Sequence, residues 1–270
     1  MNALVGRKLS IVTYKPQTTR NRVLGILSGD DYQMIFLDTP GIIEPRYRLH
    51  EAMMHDVRDS VAEADLLVFM ADASQGRLDT FSLDFIGDRP AILVVNKMDL
   101  VRQDEALPLV QAYVDQRAFE EVVPVSATTG HNLDVLKETL VRRLPAGPPF
   151  YPKDMLSEHP ERFFVTEIIR EKVFEQYRDE IPYAAQVNIV TYEEHPEGKD
   201  RIAAEIVVER DSQKGIVIGR GGSALKKVGI AARKDIEAFV GKGVFLEIHV
   251  KVRGDWRNKD TLLRSYGYRA

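Results

Sequence analysis

Short apolar runs recur through the first half of the chain and are separated by stretches with helical spacing of apolar positions. The runs predict buried β-strands at Met34–Leu37, Leu66–Met70, Ala91–Val95 and Val122–Val125. The stretches between them predict helices at about Leu49–Ala64, Asp79–Ile86, Ala106–Ala118 and Asn132–Arg143. A further strand near Arg22–Ser28 precedes a hairpin turn at Gly29-Asp30-Asp31. This alternation predicts an α/β fold with a doubly wound sheet and right-handed crossovers.

The order of elements changes after Pro145-Ala146-Gly147-Pro148-Pro149, a segment that cannot sustain a helix or a central strand. Beyond it we predict a helix, two alternating strands, a glycine-rich loop, two helices and a last strand. Four of these are placed at Glu161–Tyr177, Ala185–Tyr192, Arg201–Glu209 and Val244–Val252. The predicted organisation is therefore a first domain over residues 1–146, a linker over 147–160, and an α+β domain with a C-terminal tail over 161–270.

Charge is unevenly distributed along the chain. The formal net charge is −4, yet residues 210–259 hold 12 Lys and Arg against 5 Asp and Glu. A local basic field in an acidic protein indicates a polyanion-binding face, although solvated helix faces account for the charges equally well. The lack of cysteine excludes disulfides and thiolate metal sites. No apolar run approaches the ~20 residues that cross a bilayer, and no secretory signal opens the sequence, so we expect a cytoplasmic protein.

Two motifs have the chemistry of a magnesium and phosphate site. Asp38-Thr39-Pro40-Gly41 directly follows the strand that ends at Leu37. A carboxylate there can hold Mg²⁺ through water, and the glycine amide can reach a γ-phosphate. Pro16-Gln17-Thr18-Thr19-Arg20 precedes the hairpin, where a threonine hydroxyl can bind Mg²⁺ when a loop closes.

Two more motifs follow strands as a guanine pocket requires. Asn96-Lys97-Met98-Asp99 follows Ala91–Val95, and an Asp carboxylate accepts two hydrogen bonds from guanine that adenine cannot donate. Ser126-Ala127-Thr128 follows Val122–Val125, where a backbone amide can meet guanine O6. Each motif alone also fits a turn or a helix cap. Their order and settings together favour a GTP site at the C-terminal ends of the strands.

The glycine-rich loop has the features of an RNA-binding element. Val217-Ile218-Gly219-Arg220-Gly221-Gly222 contains a G-x-x-G loop ahead of a helix from Ser223 that carries Lys226 and Lys227. Glycines let a nucleic-acid backbone approach closely, and a helix N-terminus with Arg220 favours phosphate. KH domains clamp about four nucleotides with such a loop, and a tight turn is the alternative.

Three residues beyond the last strand, Arg253, Trp256 and Arg257, have two interpretations. They stack on or pair with RNA, or the tryptophan anchors the C-terminal tail.

Together these segments resemble Era-type GTPases, translation-factor-like GTPases that carry a C-terminal type II KH domain. The resemblance covers essentially the whole chain and includes PQTTR, DTPG, NKMD, SAT, FVTEIIREK at Phe164–Lys172 and GIAARKDIE at Gly229–Glu237. Ile42 stands where Ras-like proteins carry a glutamine that orients water. The resemblance supplies no catalytic base, so the catalytic residues are unknown.

One element of this family is missing from the sequence. The phosphate-binding loop G-x-x-x-x-G-K-[ST] occurs nowhere in the 270 residues. In the family, the segment resembling residues 1–6 follows that loop, and the strand before the loop lies between the strands at Met34–Leu37 and Leu66–Met70. We therefore expect unpaired edges on those two strands. We also expect a shortened sequence, with a degenerate GTPase as the alternative, and weak or no GTP binding by this chain.

The resemblance implies a GTP-binding and GTP-hydrolysing factor that binds the 3′ end of small-subunit (16S) rRNA and assists 30S subunit maturation. Implied cofactors are GTP or GDP and Mg²⁺, with Thr19, the preferred threonine, and Asp38 serving the metal. The implied GTP-binding residues are Asp38, Thr39, Pro40, Gly41, Ile42, Asn96, Lys97, Met98, Asp99, Ser126 and Ala127. The implied RNA-binding residues are Gly219, Arg220, Gly221, Gly222, Lys226 and Lys227.

Two further implications complete the sequence-based hypothesis. The family resemblance implies peripheral contact with the inner face of the cell membrane, and no obligate protein partner is evident. The alternative function is a nucleotide-independent KH RNA-binding protein with a degenerate GTPase domain.

Overall fold

The computed structural model describes the backbone of residues 1–269 and their side chains other than that of Gln103. Contacts divide the chain into two compact units. Unit 1 contains residues 1–9, 22–38 and 57–158, and unit 2 contains residues 10–21, 39–56 and the chain from residue 159 onward. The two loops predicted to surround Mg²⁺ and γ-phosphate thus lie mostly in the unit that contains the predicted RNA-binding half.

The elements follow the predicted order closely. The strands are β1 Val23–Ser28, β2 Gln33–Asp38, β3 Leu67–Asp72, β4 Ala91–Asn96, β5 Glu121–Pro124, β6 Gln186–Glu193, β7 Asp200–Val208 and β8 Val244–Val252. The helices are α1 Asn2–Val5, α2 Arg48–Glu63, α3 Thr80–Ile86, α4 Gln103–Gln116, α5 Leu133–Arg143, α6 Glu161–Gln176, α7 Ile181–Ala184, α8 Asp211–Ile218, α9 Ser223–Val240 and α10 Asp260–Ser265.

Unit 1 contains two separate sheets. β1 and β2 form an antiparallel hairpin, while β3, β4 and β5 form a parallel sheet with β4 in the centre. β4 is buried on both faces from Ala91 to Val95, which explains its uninterrupted apolar sequence. The register places Asp72 of β3 opposite Asn96 of β4, so the polar residues that end these strands lie at one edge of the sheet.

Among the residues that the structure describes, the strands β2 and β3 each have an edge without a neighbouring strand. Within residues 1–269, β2 pairs only with β1, and β3 pairs only with β4. Two apolar side chains of β3, Val68 and Met70, are exposed. The predicted unpaired edges on the strands at Met34–Leu37 and Leu66–Met70 are therefore confirmed.

A shared core nevertheless joins the two sheets of unit 1. Met34 of β2 belongs to the same buried cluster as Ile92 and Val94 of β4 and Leu136 and Leu140 of α5. The N-terminus of α3 is fixed locally, since Asp79 caps it by accepting a hydrogen bond from Ser82 N at 3.0 Å. Burial of one helix face against the sheet is what holds α5 in place.

Unit 2 is built on a second three-stranded sheet. β6 pairs with β7 antiparallel and β7 pairs with β8 parallel. One buried cluster joins helices α6, α8 and α9 to this sheet through Val165, Ile169, Val173, Ile202, Ile206, Val217, Val228 and Ile236. The order helix–strand–strand–helix–helix–strand agrees with the predicted type II KH topology, with the short α7 added after α6.

The structure corrects one part of the predicted second half. The glycine-rich loop lies between the two helices and does not precede both of them. Val217 and Ile218, which the sequence analysis placed in the loop segment, form the last turn of α8 together with Ile216. The helix forms because Val217 is fully buried in the core and Gln213 Oε1 accepts hydrogen bonds from the amides of Glu209 and Arg210.

Across residues 1–269, none of the helices combines the length and the apolar character that crossing a lipid bilayer demands.

Candidate nucleotide and RNA sites

The Asn96–Asp99 turn and the Ser126–Ala127 segment meet at the C-terminal edge of the parallel sheet. Asn96 Oδ1 accepts hydrogen bonds from Lys97 N at 2.8 Å and from Ala127 N at 3.0 Å. Met98 N also donates to Val125 O at 3.1 Å. The asparagine therefore acts as a brace between two strand ends, and the two motifs lie together as predicted.

Asp99 is oriented by a buried serine. Ser126 Oγ donates to Asp99 Oδ1 at 2.6 Å, and the same Oγ accepts from Thr129 N at 3.2 Å. Ser126 is buried, whereas Asp99 is exposed. A carboxylate that is fixed by a buried hydroxyl and otherwise exposed to solvent is suited to accept hydrogen bonds from the N–H groups of guanine.

Lys97 adopts a left-handed conformation with φ 65° and ψ 34°, and its side chain crosses to the neighbouring strand. Its Nζ lies 2.7 Å from Asp72 Oδ2. Burial raises the pKa of Asp72, but hydrogen bonds from Lys97 and Ser74 outweigh burial and hold that pKa below its ordinary value of 3.8. Asp72 is a site residue that sequence reasoning missed. Its position after an apolar strand, opposite Asn96, was the available signal.

The backbone amides of Ser126 and Ala127, expected to be available to guanine O6, donate hydrogen bonds within the protein. Ser126 N donates to His131 O at 3.1 Å, and Ala127 N donates to Asn96. Both amides therefore have partners inside the protein. The predicted contact between a backbone amide of this segment and guanine O6 stays a prediction.

The Asp38–Ile42 motif is divided between the two units. Asp38 ends β2 in unit 1, opposite Val23, while Thr39 to Ile42 belong to unit 2. Within unit 1 the Met1 amino group interacts with Asp38. Burial lowers the pKa of that amino group and the Asp38 carboxylate opposes the shift. Gly41 is exposed, and a Cβ built there would meet no atom within 4 Å, so its backbone is accessible.

Thr18 and Thr19 lie in a loop at residues 10–21 of unit 2, named here the threonine loop, and both are half-buried. Arg20, next to Thr19, is buried and donates to the carbonyls of Ala185, Pro182 and Tyr183 at 2.8–3.0 Å. Thr19 and Asp38 thus belong to different units. In the part of the chain that the structure describes, no group of three or more His, Cys, Asp or Glu residues could hold a metal ion.

The G-x-x-G loop is built by left-handed and extended glycine conformations. Gly219 ends α8 with φ 72° and ψ 172°, and Gly221 has φ 59° and ψ 25°. Gly222 N donates to Gly219 O at 3.1 Å and closes the turn ahead of α9. Arg220 and the two lysines at positions 226 and 227 are exposed, so their charges face solvent around the loop and the first turns of α9.

Of the three tail residues with two interpretations, the structure decides for Trp256. Trp256 is fully buried and donates its indole N–H to Ala184 O at 2.9 Å. Arg257 forms an ion pair with Glu209 and lies over the Tyr47 ring at 4.6 Å. Trp256 is therefore part of the core of unit 2 and anchors the tail, and the RNA interpretation of Arg253 and Arg257 stays a prediction.

Comparison with known proteins connects both sites to described families. Residues 1–97 match a family model described as 50S ribosome-binding GTPase, and residues 180–257 match a KH domain model. The chain is 49% identical to "GTPase ERA-like, chloroplastic" of Arabidopsis thaliana and 47% identical to that of Oryza sativa subsp. japonica. Each alignment covers 99% of this chain, and the chain spans 64% and 65% of the length of those relatives.

Two solved structures resemble the fold across nearly its whole length. One is Era in complex with MgGDPNP and nucleotides 1506–1542 of 16S ribosomal RNA, with a TM-score of 0.94 and 38% identity. The alignment covers 99% of this chain and 92% of that one. The other is a variant of Aquifex aeolicus Era bound to GDP and AlF4⁻, with a TM-score of 0.93, 38% identity, and coverage of 99% and 93%. By sequence identity and by fold, the chain belongs to the Era family of GTPases.

Proposed function

We propose that this chain supplies the guanine-recognition and RNA-binding parts of a GTP-hydrolysing ribosome-assembly factor. The factor binds the 3′ end of small-subunit rRNA and assists maturation of the 30S subunit. Residues 1–146 contribute the nucleotide domain, 147–160 the linker, and 161–270 the KH domain. The observation that carries the proposal is the presence, in one chain, of a hydrogen-bonded cluster of Asn96, Asp99, Ser126 and Ala127 and of a G-x-x-G loop with exposed Arg220 and Gly221.

The RNA part is supported by the geometry of unit 2. An exposed glycine turn, Arg220, and two exposed lysines at the start of an 18-residue helix place positive charge beside an accessible backbone. The neighbour that this fold resembles at a TM-score of 0.94 holds nucleotides 1506–1542 of 16S rRNA. Gly219, Arg220, Gly221 and Gly222 would grip the phosphate backbone, with Lys226 and Lys227 supporting it.

The nucleotide part is supported by the donor and acceptor set in unit 1. The Asp99 carboxylate suits the guanine edge and is held by the Ser126 hydroxyl. Asn96 accepts hydrogen bonds from the amides of Lys97 and Ala127, and the Lys97 ammonium pairs with Asp72. Asp38, Thr39, Pro40, Gly41, Ile42, Met98 and Ala127 complete the proposed GTP site. When GTP and Mg²⁺ are bound, Thr19 and Asp38 would supply oxygen ligands of the kind that Mg²⁺ prefers. The chain spans about two-thirds of its curated relatives, so its hydrolytic activity is part of the proposal.

The proposal is tested by RNA binding of matched glycine variants. Gly221→Asp places a carboxylate where phosphate should lie, and a Cβ at Gly221 meets no atom within 4 Å. Gly76 has nearly the same backbone conformation, with φ 59° and ψ 17°, and equally open space, so Gly76→Asp is the control. The affinity for a labelled RNA of nucleotides 1506–1542 should fall at least tenfold in Gly221→Asp only. Equal affinities of the two variants would refute the RNA assignment.

The cellular location stays a prediction. Both relatives named above are called chloroplastic, which is a statement about them. A cytoplasmic location and peripheral membrane contact for this chain rest on the sequence hypothesis. Fractionation of cells that express the tagged protein, with and without a high-salt wash, would test both.

A further inference from the structure

The threonine loop is fastened to the ends of two helices within unit 2. Lys15 Nζ donates to the carbonyls of Phe174 and Tyr177, at the C-terminal end of α6. Cations are favoured there, because the last carbonyls of a helix lack intrahelical donors and carry the negative end of its dipole. Arg20 makes the second attachment, to carbonyls at the end of α7. Thr18 and Thr19 lie between the two attached cations.

Tyr177 is the residue at which this attachment reaches the RNA-binding loop. Its backbone carbonyl accepts from Lys15, and its phenol hydroxyl donates to Val217 O at 2.7 Å. Val217 is in the last turn of α8, two residues before Gly219. Tyr177 is 5% exposed, and burial raises the pKa of its phenol to about 12, so the hydroxyl remains a donor at neutral pH.

The position of Val217 matters for the geometry of the glycine loop. Gly219 N donates to Gly215 O at 2.9 Å, so the loop starts directly from the last turn of α8. Gly219 O then accepts from Gly222 N and closes the turn. A shift in the end of α8 would therefore move the whole G-x-x-G loop.

We propose that Tyr177 is a positioning residue that couples the threonine loop to the G-x-x-G loop. Lys15 fixes the end of α6, and Tyr177 transmits that fixed position to the end of α8 through a single side-chain hydrogen bond. The inference rests on the proposed RNA-binding function of the glycine loop. It assigns a role to the C-terminal end of α6, a helix whose sequence the proposed sites do not otherwise use.

A double-mutant cycle tests the coupling in the full chain. Tyr177→Phe removes only the hydroxyl, and Lys15→Met removes the ammonium while keeping a long side chain. Each single variant should weaken binding of the labelled 1506–1542 RNA by about two- to tenfold, the size of one hydrogen bond. Both changes break the same connection between the threonine loop and the G-x-x-G loop. The double variant should therefore bind the RNA no more weakly than whichever single variant has the lower affinity.

The matched control is Tyr113→Phe. Tyr113 lies in unit 1 and is also almost fully buried, and its hydroxyl accepts a hydrogen bond from Asp79 N at 3.0 Å. Tyr113→Phe therefore also removes one buried, hydrogen-bonded hydroxyl, but in the unit that does not contain the G-x-x-G loop. This variant should leave RNA affinity unchanged. If it weakens binding as much as Tyr177→Phe, the effect is one of general stability and the proposal is overturned.

Amide hydrogen exchange gives a second readout that does not require RNA. Lys15→Met should speed exchange at residues 219–223 severalfold, although Lys15 donates to α6 carbonyls and not to that loop. Unchanged exchange there, or an affinity loss in the double variant equal to the product of the single losses, would overturn the coupling. Failure of the unmodified chain to bind the RNA would instead refute the proposed function, and hydrogen exchange would still decide on the coupling.

Discussion

Alanine substitutions at Gly219 and Gly221 should have very different effects on stability, although both glycines lie in the same loop. Gly219 has φ 72° and ψ 172°, a region that residues with a Cβ hardly enter. A Cβ at Gly219 would also lie 2.6 Å from Ala224 Cβ and 2.9 Å from Ala224 N. The second contact is to helix backbone, which cannot give way as a flexible side chain can.

The expected loss of stability in Gly219→Ala is the sum of backbone strain and steric overlap with Ala224. Backbone strain at such a position costs about 1–3 kcal/mol, and overpacking against α9 adds about 1–3 kcal/mol. Gly219→Ala should therefore lower the free energy of unfolding of unit 2 by roughly 2–6 kcal/mol. Gly221 has a left-handed conformation with open space around it, so Gly221→Ala should cost only about 1–2 kcal/mol.

Urea unfolding followed by tryptophan fluorescence measures this difference in the relevant unit. The chain contains a single tryptophan, Trp256, which is buried in unit 2 and reports on that unit alone. This matters because a protein with two compact units need not unfold in one step. Equal urea midpoints for the two variants would refute the argument that Gly219 is required by the backbone and Gly221 by the ligand.

Three further predictions concern the nucleotide site, the tail and pH. Calorimetry of the unmodified 270-residue chain with GTP and Mg²⁺ should show weak or no binding, because G-x-x-x-x-G-K-[ST] is absent, and micromolar affinity would contradict this. Trp256→Ala should destabilise unit 2 by about 3–5 kcal/mol in urea unfolding followed by circular dichroism, whereas the half-exposed Phe245→Ala should not. Burial, then the charges of Arg20, Arg257 and Arg46, lower the pKa of His50 from 6.5 to about 4, so unfolding takes up a proton between these values. The stability of unit 2 should therefore fall, by on the order of 1–3 kcal/mol, as pH drops from 6.5 to 4, and a His50→Gln variant that keeps the same slope would contradict the assignment.

Much of unit 1 could be predicted because its local and global signals agree. β4 is a run of five apolar residues that the sheet buries on both sides, and a polar motif follows it at once. Since the carboxyl ends of neighbouring parallel strands meet at one edge, the closeness of Asn96 and Ser126 followed from their positions in the sequence. The hydrogen bond between Ser126 and Asp99 was not predictable, because it depends on the rotamers of both side chains.

The position of helix α8 was predicted wrongly because its residues have low helix propensity. Gly215 and the β-branched residues Ile216, Val217 and Ile218 have low helix propensity, so no helix was predicted ahead of the glycine-rich loop. Packing decides the outcome, since Val217 is completely buried against the sheet of unit 2. Tertiary contacts of this kind are not visible in local sequence.

The buried charges of α6 were hidden from sequence analysis for a different reason. The segment Phe164–Lys172 has the composition of a half-solvated helix, yet Glu167, Arg170 and Lys172 are all less than 10% exposed. They are tolerated because they are paired, Arg170 with Glu167 and Lys172 with Glu171 and Asp235. Sequence periodicity cannot show where such pairs form.

The assignment of the threonine loop to unit 2 carries the main functional consequence. Arg20 is 3% exposed and satisfies three backbone carbonyls, so releasing the loop would leave buried acceptors without donors and an arginine without partners. The loop that would offer Thr19 to Mg²⁺ is therefore held by residues of unit 2. Under the proposed function, a ligand that draws on Thr19 must act on a loop whose order depends on α6 and α7. Because binding free energies are linked reciprocally, RNA that tightens this unit would favour the metal-bound loop by the same factor that the metal-bound loop favours RNA.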